Sequence, residues 1–569
     1  MRKWSDSELS AYITWIVPYL LLVYAWFDHD LGAPSSPILF VVSAVLFFTA
    51  VGWRFWRAGI PRPFESRNDN RLFYSIFAVA TVSRLPFLAG AYGLFSSDAA
   101  VQGVMALHIL EGKHHPVFLY HWSYIGSIKA HVTAFLTWFS GEPVLSFAAA
   151  AILMFGAFAA GVFALARTVL PRAESVVAAL YVIAGPGFLT AWASHNEGNY
   201  TDVMAMGTAM LILGARMVTE SEGRVRRAFW MGVLGGLAFW THILATYYLL
   251  AVLLVLVACD WSLRVFRRLT AFGAGFVVGD FPGILWNVTH EWLSFRWWAL
   301  DQSQSADDRW GRTATQLWEV VTTSSAVLAG WWPLDHPPWL GGFWRWALLA
   351  VFPVASIAFT IRYRDSLRTL LRGRLTPHSM MLGFAILVVV VFAQSSFGWM
   401  TDEPRYLLFL YSVFPAFIAS ALAWLWSRRR WMAVAVGFML IYVNLHGSVV
   451  YFVRGLEGDR VNRQFLEDLE RLEVRYGHTD YYISYKYNFL SHGRIVLTSE
   501  LGPAQKEWYL PYREEVSKAE NVALIPRSFR FARRLGRRLD AQGIAYRRED
   551  LLYPVLCDFS EKISLEELK

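Results

Sequence analysis

The chain has 569 residues, 56% of them hydrophobic and 16% aromatic, with 17% charged residues and a formal net charge of +8. Soluble proteins of this length carry nearer a quarter charged residues, so a soluble globular enzyme is excluded. The basic excess sits in loops between apolar runs, which makes it a signal of membrane orientation and argues against a nucleic-acid partner.

Apolar runs of about 17–25 residues, the length that crosses a hydrocarbon core, recur along the sequence. They fall near 9–27, 37–57, 72–92, 143–166, 174–192, 203–219, 228–241, 243–259, 270–288, 343–361, 379–397, 405–426 and 431–452, about thirteen segments in all. The first follows Arg2 and Lys3, but no small-residue cleavage site closes it. "DHDLGAPSSP" leads straight into the next run, so it reads as an uncleaved anchor. The seventh and eighth are short and divided only by Thr241 and His242, as in a hairpin.

Basic clusters mark alternate loops: "RFWRAGIPRPFESRNDNR", "RTVLPR", "RVRR", "RVFRR", "RYRDSLRTLLRGR" and "SRRR". Lys and Arg accumulate on the cytoplasmic side, which places the amino terminus inside and, with an odd span count, the tail outside. The expected localisation is the cell inner membrane. Two loops are long, 93–142 and 289–342, and both face outward.

From Arg454 the pattern changes. "NRQFLEDLERLEVRYG" has helical periodicity ending at Gly477. "DYYISY", "RIVLTS", "NVALIPR" and "LYPVLCDF" read as strands, and "FRFARRLGRRLDAQG" as a helix between the last two. The expected fold is a polytopic α-helical membrane protein with a small C-terminal extracytoplasmic α/β domain. The two cysteines, Cys259 at a cytoplasmic helix end and Cys557 in the external tail, are too far apart to pair.

The candidate chemistry lies on the outer side. Asp98, Gln102 and Met105 share one face of a helix, with Asp98 in the first turn, where the helix dipole favours an anion. Ser97 or Asp98 serving only as a helix cap is the alternative. The histidines at 108, 114, 115, 121 and 131 are metal-ligand types without a tight ligand spacing. Lys129 lies on an amphipathic stretch, either snorkelling or meeting an anionic head group. Glu197 and Asp202 occupy a short outer loop, and His242 sits between two short helices; each reads as a structural polar group or a substrate contact. The tryptophans of the second long loop (292, 297, 298, 310, 318, 331, 332 and 339) fit an interfacial aromatic belt or a stacking surface. Asp402, Glu403 and Arg405 stand at the mouth of a span, as anchors or binding groups.

Together these stretches resemble a known family. "RLPFL", "SSDAAVQGVMALHILEGKHHPVFLYHWSYIGSIKAHV", "GVLGGLAFWTHILATYYLL", "GFVVGDFPGILWN", "PRYLLFLYSVFP" and "YYISYKYNFLSHGRIVLTS" occur in the order found in the GT-C superfamily of integral-membrane glycosyltransferases. The similarity is to the bacterial branch related to glycosyltransferase family 39, with its protein O-mannosyltransferases and lipid A aminoarabinose transferase.

The resemblance implies a sugar donor on a polyprenyl phosphate, a lipid, glycan or protein acceptor, and contact with membrane lipids. It makes Asp98 the catalytic carboxylate; the departing lipid phosphate then needs cations, for which Arg405 and Lys129 are the candidates, and Gln102, Glu197, Asp202, His242 and Tyr406 are possible substrate contacts. Two positions depart from the pattern: Ala99 stands where a second acid is usual, and Lys129 stands where "GSLEA" has a carboxylate. The resemblance therefore leaves a divalent cation open and no cofactor assigned.

The implied organisation is an extra N-terminal hairpin and cytoplasmic loop over 1–71, a transmembrane catalytic domain over 72–453 and the tail domain over 454–569. Two alternatives stand beside it: a non-catalytic lipid-binding or assembly protein on the same fold, and a transporter. A transporter needs ionisable groups at mid-membrane, whereas the charges here cluster at span ends.

Overall fold

The computed structural model describes residues 6–27, 42–46, 49, 63–195, 197–259, 264–296, 309–331, 341–501, 507–563 and 565. The chain divides into two compact units. The first comprises Met1–Arg84, Tyr124–Gly126 and Ala151–Tyr451; the second comprises Leu85–Ser123, Ser127–Ala150 and Phe452–Lys569.

Helices occupy the expected apolar runs wherever the chain is described; most of 37–57 lies outside the described residues. Among the described residues six helices are long and apolar enough to cross a membrane: Arg67–Gly93, Pro143–Ala166, Glu197–Thr219, Arg345–Arg362, Pro377–Gln394 and Arg430–Arg471. Three further runs, expected as single spans, are bent pairs: Arg172–Ile183 with Gly187–His195 at 72°, Arg264–Gly279 with Phe281–Thr289 at 73°, and Arg405–Ser412 with Phe414–Arg428 at 54°. A proline stands at each break (Pro186, Pro282 and Pro415). It has no amide to donate and its ring clashes with the preceding turn, so the helix restarts in a new direction.

In the first unit, helices Arg224–Thr241 and Arg264–Gly279 meet through glycine. A Cβ on Gly232 would strike the Phe272 carbonyl, and one on Gly236 the Phe276 carbonyl. From the other helix, a Cβ on Gly275 would strike the Phe229 carbonyl and one on Gly279 the Val233 carbonyl. Both sequences carry glycine at a spacing of four, which brings two backbones together without side chains between them. Some of the basic residues that mark the loops are also ion-paired. Arg167 and Arg172 hold the buried Asp69 at 3.1 and 2.6 Å, and Arg362 forks onto Glu174 at 2.8 and 2.7 Å.

In the second unit the first long loop folds with the tail. Helix Ser97–Leu110 is followed by a hairpin, β1 (Phe118–Leu119) and β2 (Trp122–Gly126), the end of β2 belonging to the first unit. Helix Ile128–Ser140 comes next and is turned inside out relative to a soluble helix. Lys129, Thr133 and Thr137 are buried, while Val132, Phe135, Trp138 and Phe139 are exposed. That distribution suits an apolar surrounding.

The tail carries β3 (Tyr476–Thr479), β4 (Val496–Thr498), β5 (Ala523–Ile525), β6 (Arg547–Asp550) and β7 (Pro554–Cys557) in one sheet ordered β4-β3-β5-β7-β6. β3 runs parallel to β4 and β5, and β7 antiparallel to β5 and β6. Helix Phe529–Ala541 buries Ala532, Leu535 and Leu539 and leaves Arg530, Arg533, Arg534, Arg537 and Arg538 exposed.

Two expectations for the tail are corrected. "DYYISY" is not a strand: it opens the helix Tyr481–Leu490, because Asp480 caps it by accepting the Tyr482 amide at 2.9 Å. Gly477 does not end a helix. The helix stops at Arg471 and the chain turns through Glu473, at φ +54°, while Gly477 lies within β3 with the Ala523 carbonyl beside it. Residues 453 and 454 lie inside helix Arg430–Arg471, whose 42 residues extend about 63 Å, twice the thickness of a hydrocarbon core.

Candidate functional site

The second unit holds Asp98, Gln102 and Lys129. Helix Ser97–Leu110 is capped by Ser96, whose hydroxyl accepts the Ala99 amide at 3.1 Å. The cap is therefore neither Ser97 nor Asp98. From Ser97 to Ile109 every residue of this helix is buried except Asp98, which is exposed. One carboxylate oxygen, Oδ1, accepts the phenol of Tyr481. One turn further on, Gln102 is 1% exposed and its Oε1 has no hydrogen-bond partner among the described residues.

Tyr481 is buried at the start of its helix. Its ring lies 4.6 Å from that of Trp508 and 5.9 Å from that of Tyr485. Gly103 makes the helix contact possible, since a Cβ there would run into the Phe489 ring. Lys129 is 2% exposed and its ammonium sits 3.6 Å from the centre of the Phe147 ring. That ring packs on Phe95 and Phe489.

The histidines of the first loop meet in pairs: His108 and His114 both reach the Tyr120 hydroxyl, and the His115 and His131 rings lie 6.4 Å apart. His108 is buried, with Nδ1 2.8 Å from the Tyr120 hydroxyl and Nε2 3.1 Å from that of Tyr512. Burial first, then the charges of Lys113 and His114, pushes it down to about 3, so it is a neutral structural group. His121 stacks on Trp508, and His131 is 3.0 Å from the Ser127 carbonyl through Nδ1. Among the described residues no three His, Cys, Asp or Glu side chains gather to hold a metal ion.

The first unit holds Glu197, Asp202, His242, Arg405 and Tyr406. Arg405 begins the helix Arg405–Ser412 just after "TDEP". Its guanidinium is flanked by the rings of Tyr406 and Trp192, at 5.4 and 5.6 Å. Among the described residues its Nε has no hydrogen-bond partner, and its fork reaches the Met400 sulfur at 4.0 Å. Glu197 and Glu403 contribute to the field around it, yet among the described residues no carboxylate lies within ion-pair distance.

Tyr200 joins these groups, with its ring 5.4 Å from His242, 5.4 Å from Trp192 and 6.2 Å from Tyr406. His242 is buried and extended, and its Nδ1 accepts the Leu244 amide at 3.0 Å, which leaves the ring proton on Nε2. Asp202 is buried in the first turn of helix Tyr200–Thr219. The preceding turn is fixed by Gly198 and Asn199 at positive φ. Asn199 donates to the carbonyls of Gly126 at 2.9 Å and Thr241 at 3.3 Å.

Of the second-loop tryptophans, Trp292 and Trp318 are exposed, while Trp297, Trp298, Trp332 and Trp339 lie outside the described residues. Tyr481, Trp508, Tyr200 and Trp192 escaped the sequence reading, and only their aromatic character beside a polar loop could have drawn notice.

No protein-family profile matches the sequence, and no curated protein matches it. Solved structures do. The fold is similar to that of ArnT from Cupriavidus metallidurans bound to undecaprenyl phosphate, at TM-score 0.55 and 15% identity over 85% of this chain and 97% of that one. The same protein in the apo state gives TM-score 0.51 and 14% identity over the same shares. The Archaeoglobus fulgidus oligosaccharyltransferase in complex with Zn and sulfate gives TM-score 0.48 and 11% identity over 85% and 73%. The chain has the GT-C fold. With its long apolar helices, it is an integral membrane protein.

Proposed function

We propose that the protein is a glycosyltransferase that moves a sugar from a polyprenyl-phosphate donor to an acceptor hydroxyl on the outer face of the membrane. The observation that carries this reading is the state of Arg405. A guanidinium set among aromatic rings, with no partner for its Nε and no carboxylate beside it among the described residues, is a costly arrangement unless an anion completes it. A phosphate diester matches its planar fork. Undecaprenyl phosphate bound to ArnT, whose fold this chain shares, supports the choice of anion.

The reaction follows from the groups. The acceptor oxygen attacks the anomeric carbon while the bond from that carbon to the phosphate oxygen breaks, its electron pair leaving with the lipid phosphate. Arg405 balances the charge that develops there. The acceptor proton passes to Asp98, which is exposed and already relieved of capping. Lys129, occupied by the Phe147 ring, is the weaker candidate for phosphate.

The test is donor binding and transfer with purified protein in nanodiscs and a panel of labelled undecaprenyl-phosphate sugars. Arg405→Ala is expected to weaken donor binding at least tenfold, and Arg405→Lys to weaken it clearly because the fork is lost. Unchanged donor affinity in Arg405→Ala would remove the residue from the site. Donor binding without any transfer would favour a lipid-binding protein on the same fold.

A further inference from the structure

The carboxylate assigned as base is not held by its own loop alone. Its neighbour in sequence, Ala99, supplies no second acid, and the cap of its helix belongs to Ser96. The group that grips it comes from 383 residues further along the chain: the Tyr481 phenol donates to Oδ1. We propose that Tyr481 is a positioning residue for Asp98, fixing one carboxylate oxygen so that Oδ2 faces the acceptor hydroxyl and takes its proton. The inference rests on the reading of Asp98 given above.

The placement of Tyr481 is overdetermined. Asp480 caps its helix through the Tyr482 amide at 2.9 Å. Its ring is 3% exposed, against Trp508 at 4.6 Å, Tyr485 at 5.9 Å and Tyr482 at 5.7 Å. Tyr485 is tied in turn: its phenol donates to Glu507 at 2.6 Å and accepts the Trp508 and Tyr509 amides, both at 2.8 Å. Helix Tyr481–Leu490 is pressed onto helix Ser97–Leu110 where Gly103 makes room for Phe489. A phenol held on three sides by rings has little freedom, so a carboxylate bonded to it is limited to one rotamer. For a general base that restriction is useful, because proton transfer demands alignment at hydrogen-bond range. The tail thus contributes to the proposed chemistry, and is not merely appended to it.

Tyr481→Phe removes the phenol and keeps the ring that packs on Trp508. With the active undecaprenyl-phosphate sugar, kcat should fall about tenfold, the worth of one charge-assisted hydrogen bond, with donor KM and thermal midpoint unchanged. In the Asp98→Asn background the same substitution should change the residual rate little, because the group it positions is gone. A purely structural tyrosine would lower the midpoint and leave turnover per folded molecule as it was. Wild-type kcat in Tyr481→Phe overturns the proposal, and so does an equal fold-loss in both backgrounds.

Wild-type turnover by Asp98→Asn overturns the reading of Asp98 itself, which separates the two failures. A readout without substrate is carbodiimide labelling of Asp98, followed by peptide mass spectrometry. Tyr481→Phe frees Oδ1 and should raise labelling several-fold; unchanged labelling overturns the proposal.

Discussion

The hydroxyl of Ser96 accepts the Ala99 amide at 3.1 Å, so the start of helix Ser97–Leu110 is satisfied without Asp98. This separates two substitutions that the sequence leaves entangled. Ser96→Ala should cost about 1 kcal/mol of stability and spare turnover per folded molecule. Asp98→Asn keeps an oxygen that can accept the Tyr481 phenol, so it should leave thermal stability nearly unchanged and lower transfer by roughly 10²–10⁴-fold, the usual loss on removing a general base. Asp98→Ala should lose transfer equally and also lower the midpoint, because the buried phenol loses this acceptor. A well-folded Asp98→Asn working at near wild-type rate would end the catalytic assignment.

His108 ties stability to pH. Its unfolded value is near 6.5, and the folded value is pushed down to about 3 by burial. Between those values the unfolded chain binds the proton and the folded chain does not, so stability falls as pH falls through that window. The thermal midpoint should therefore drop between pH 7 and pH 5. His108→Phe should show a shallower drop, even though it starts lower for leaving the Tyr120 and Tyr512 hydroxyls unpaired. An identical slope in the variant would show that His108 is not the linked group.

Much of the membrane part is legible in the sequence because a continuous apolar run admits few readings, and helices indeed fill those that are described. The bends near Pro186, Pro282 and Pro415 are not legible, because each proline lies inside an apolar run long enough to read as one straight span. "DYYISY" misleads because a run of only six residues, rich in tyrosine with one isoleucine, fits a period of two as well as 3.6. The Asp480 cap, not the pattern, decides for helix. Asp98 and Arg405 could be singled out from position, since each is an ionisable group at the end of an apolar run. Tyr481 could not, because nothing local marks a partner 383 residues away.

The glycine contact in the first unit predicts opposite signs for one chemical change. Gly236→Ala places a methyl group against the Phe276 carbonyl, and Gly279→Ala against that of Val233. Neither backbone can yield cheaply, so each should cost about 1–3 kcal/mol, read as a lower thermal midpoint in detergent. Gly437, inside helix Arg430–Arg471, has open space where its Cβ would be. Gly437→Ala should be neutral or stabilising by up to about 1 kcal/mol, through the lower entropy of the unfolded chain. Equal effects at Gly236 and Gly437 would rule out close backbone packing as the reason for glycine.

The orientation proposed from the basic loops is open to a direct chemical test, and the structure dictates which thiols to use. Cys557 is a poor reporter: it is buried in β7, and burial followed by the neighbouring Asp558 pushes its thiol up to about 11, far from the reactive thiolate. Exposed arginines are better sites. Arg537 lies on the outward face of helix Phe529–Ala541, and Arg226 is exposed in the basic cluster "RVRR". With the native cysteines left as background, a membrane-impermeant maleimide applied to intact spheroplasts should label Arg537→Cys strongly. Arg226→Cys should be labelled only after lysis. The reasoning is electrostatic: Lys and Arg near span ends resist translocation, so loops bearing "RVRR" stay inside and an odd number of crossings carries the tail out. Labelling of Arg226→Cys in intact spheroplasts, with Arg537→Cys protected until lysis, would invert the orientation. It would also place Asp98 and Arg405 away from the face where the donor is proposed to be used.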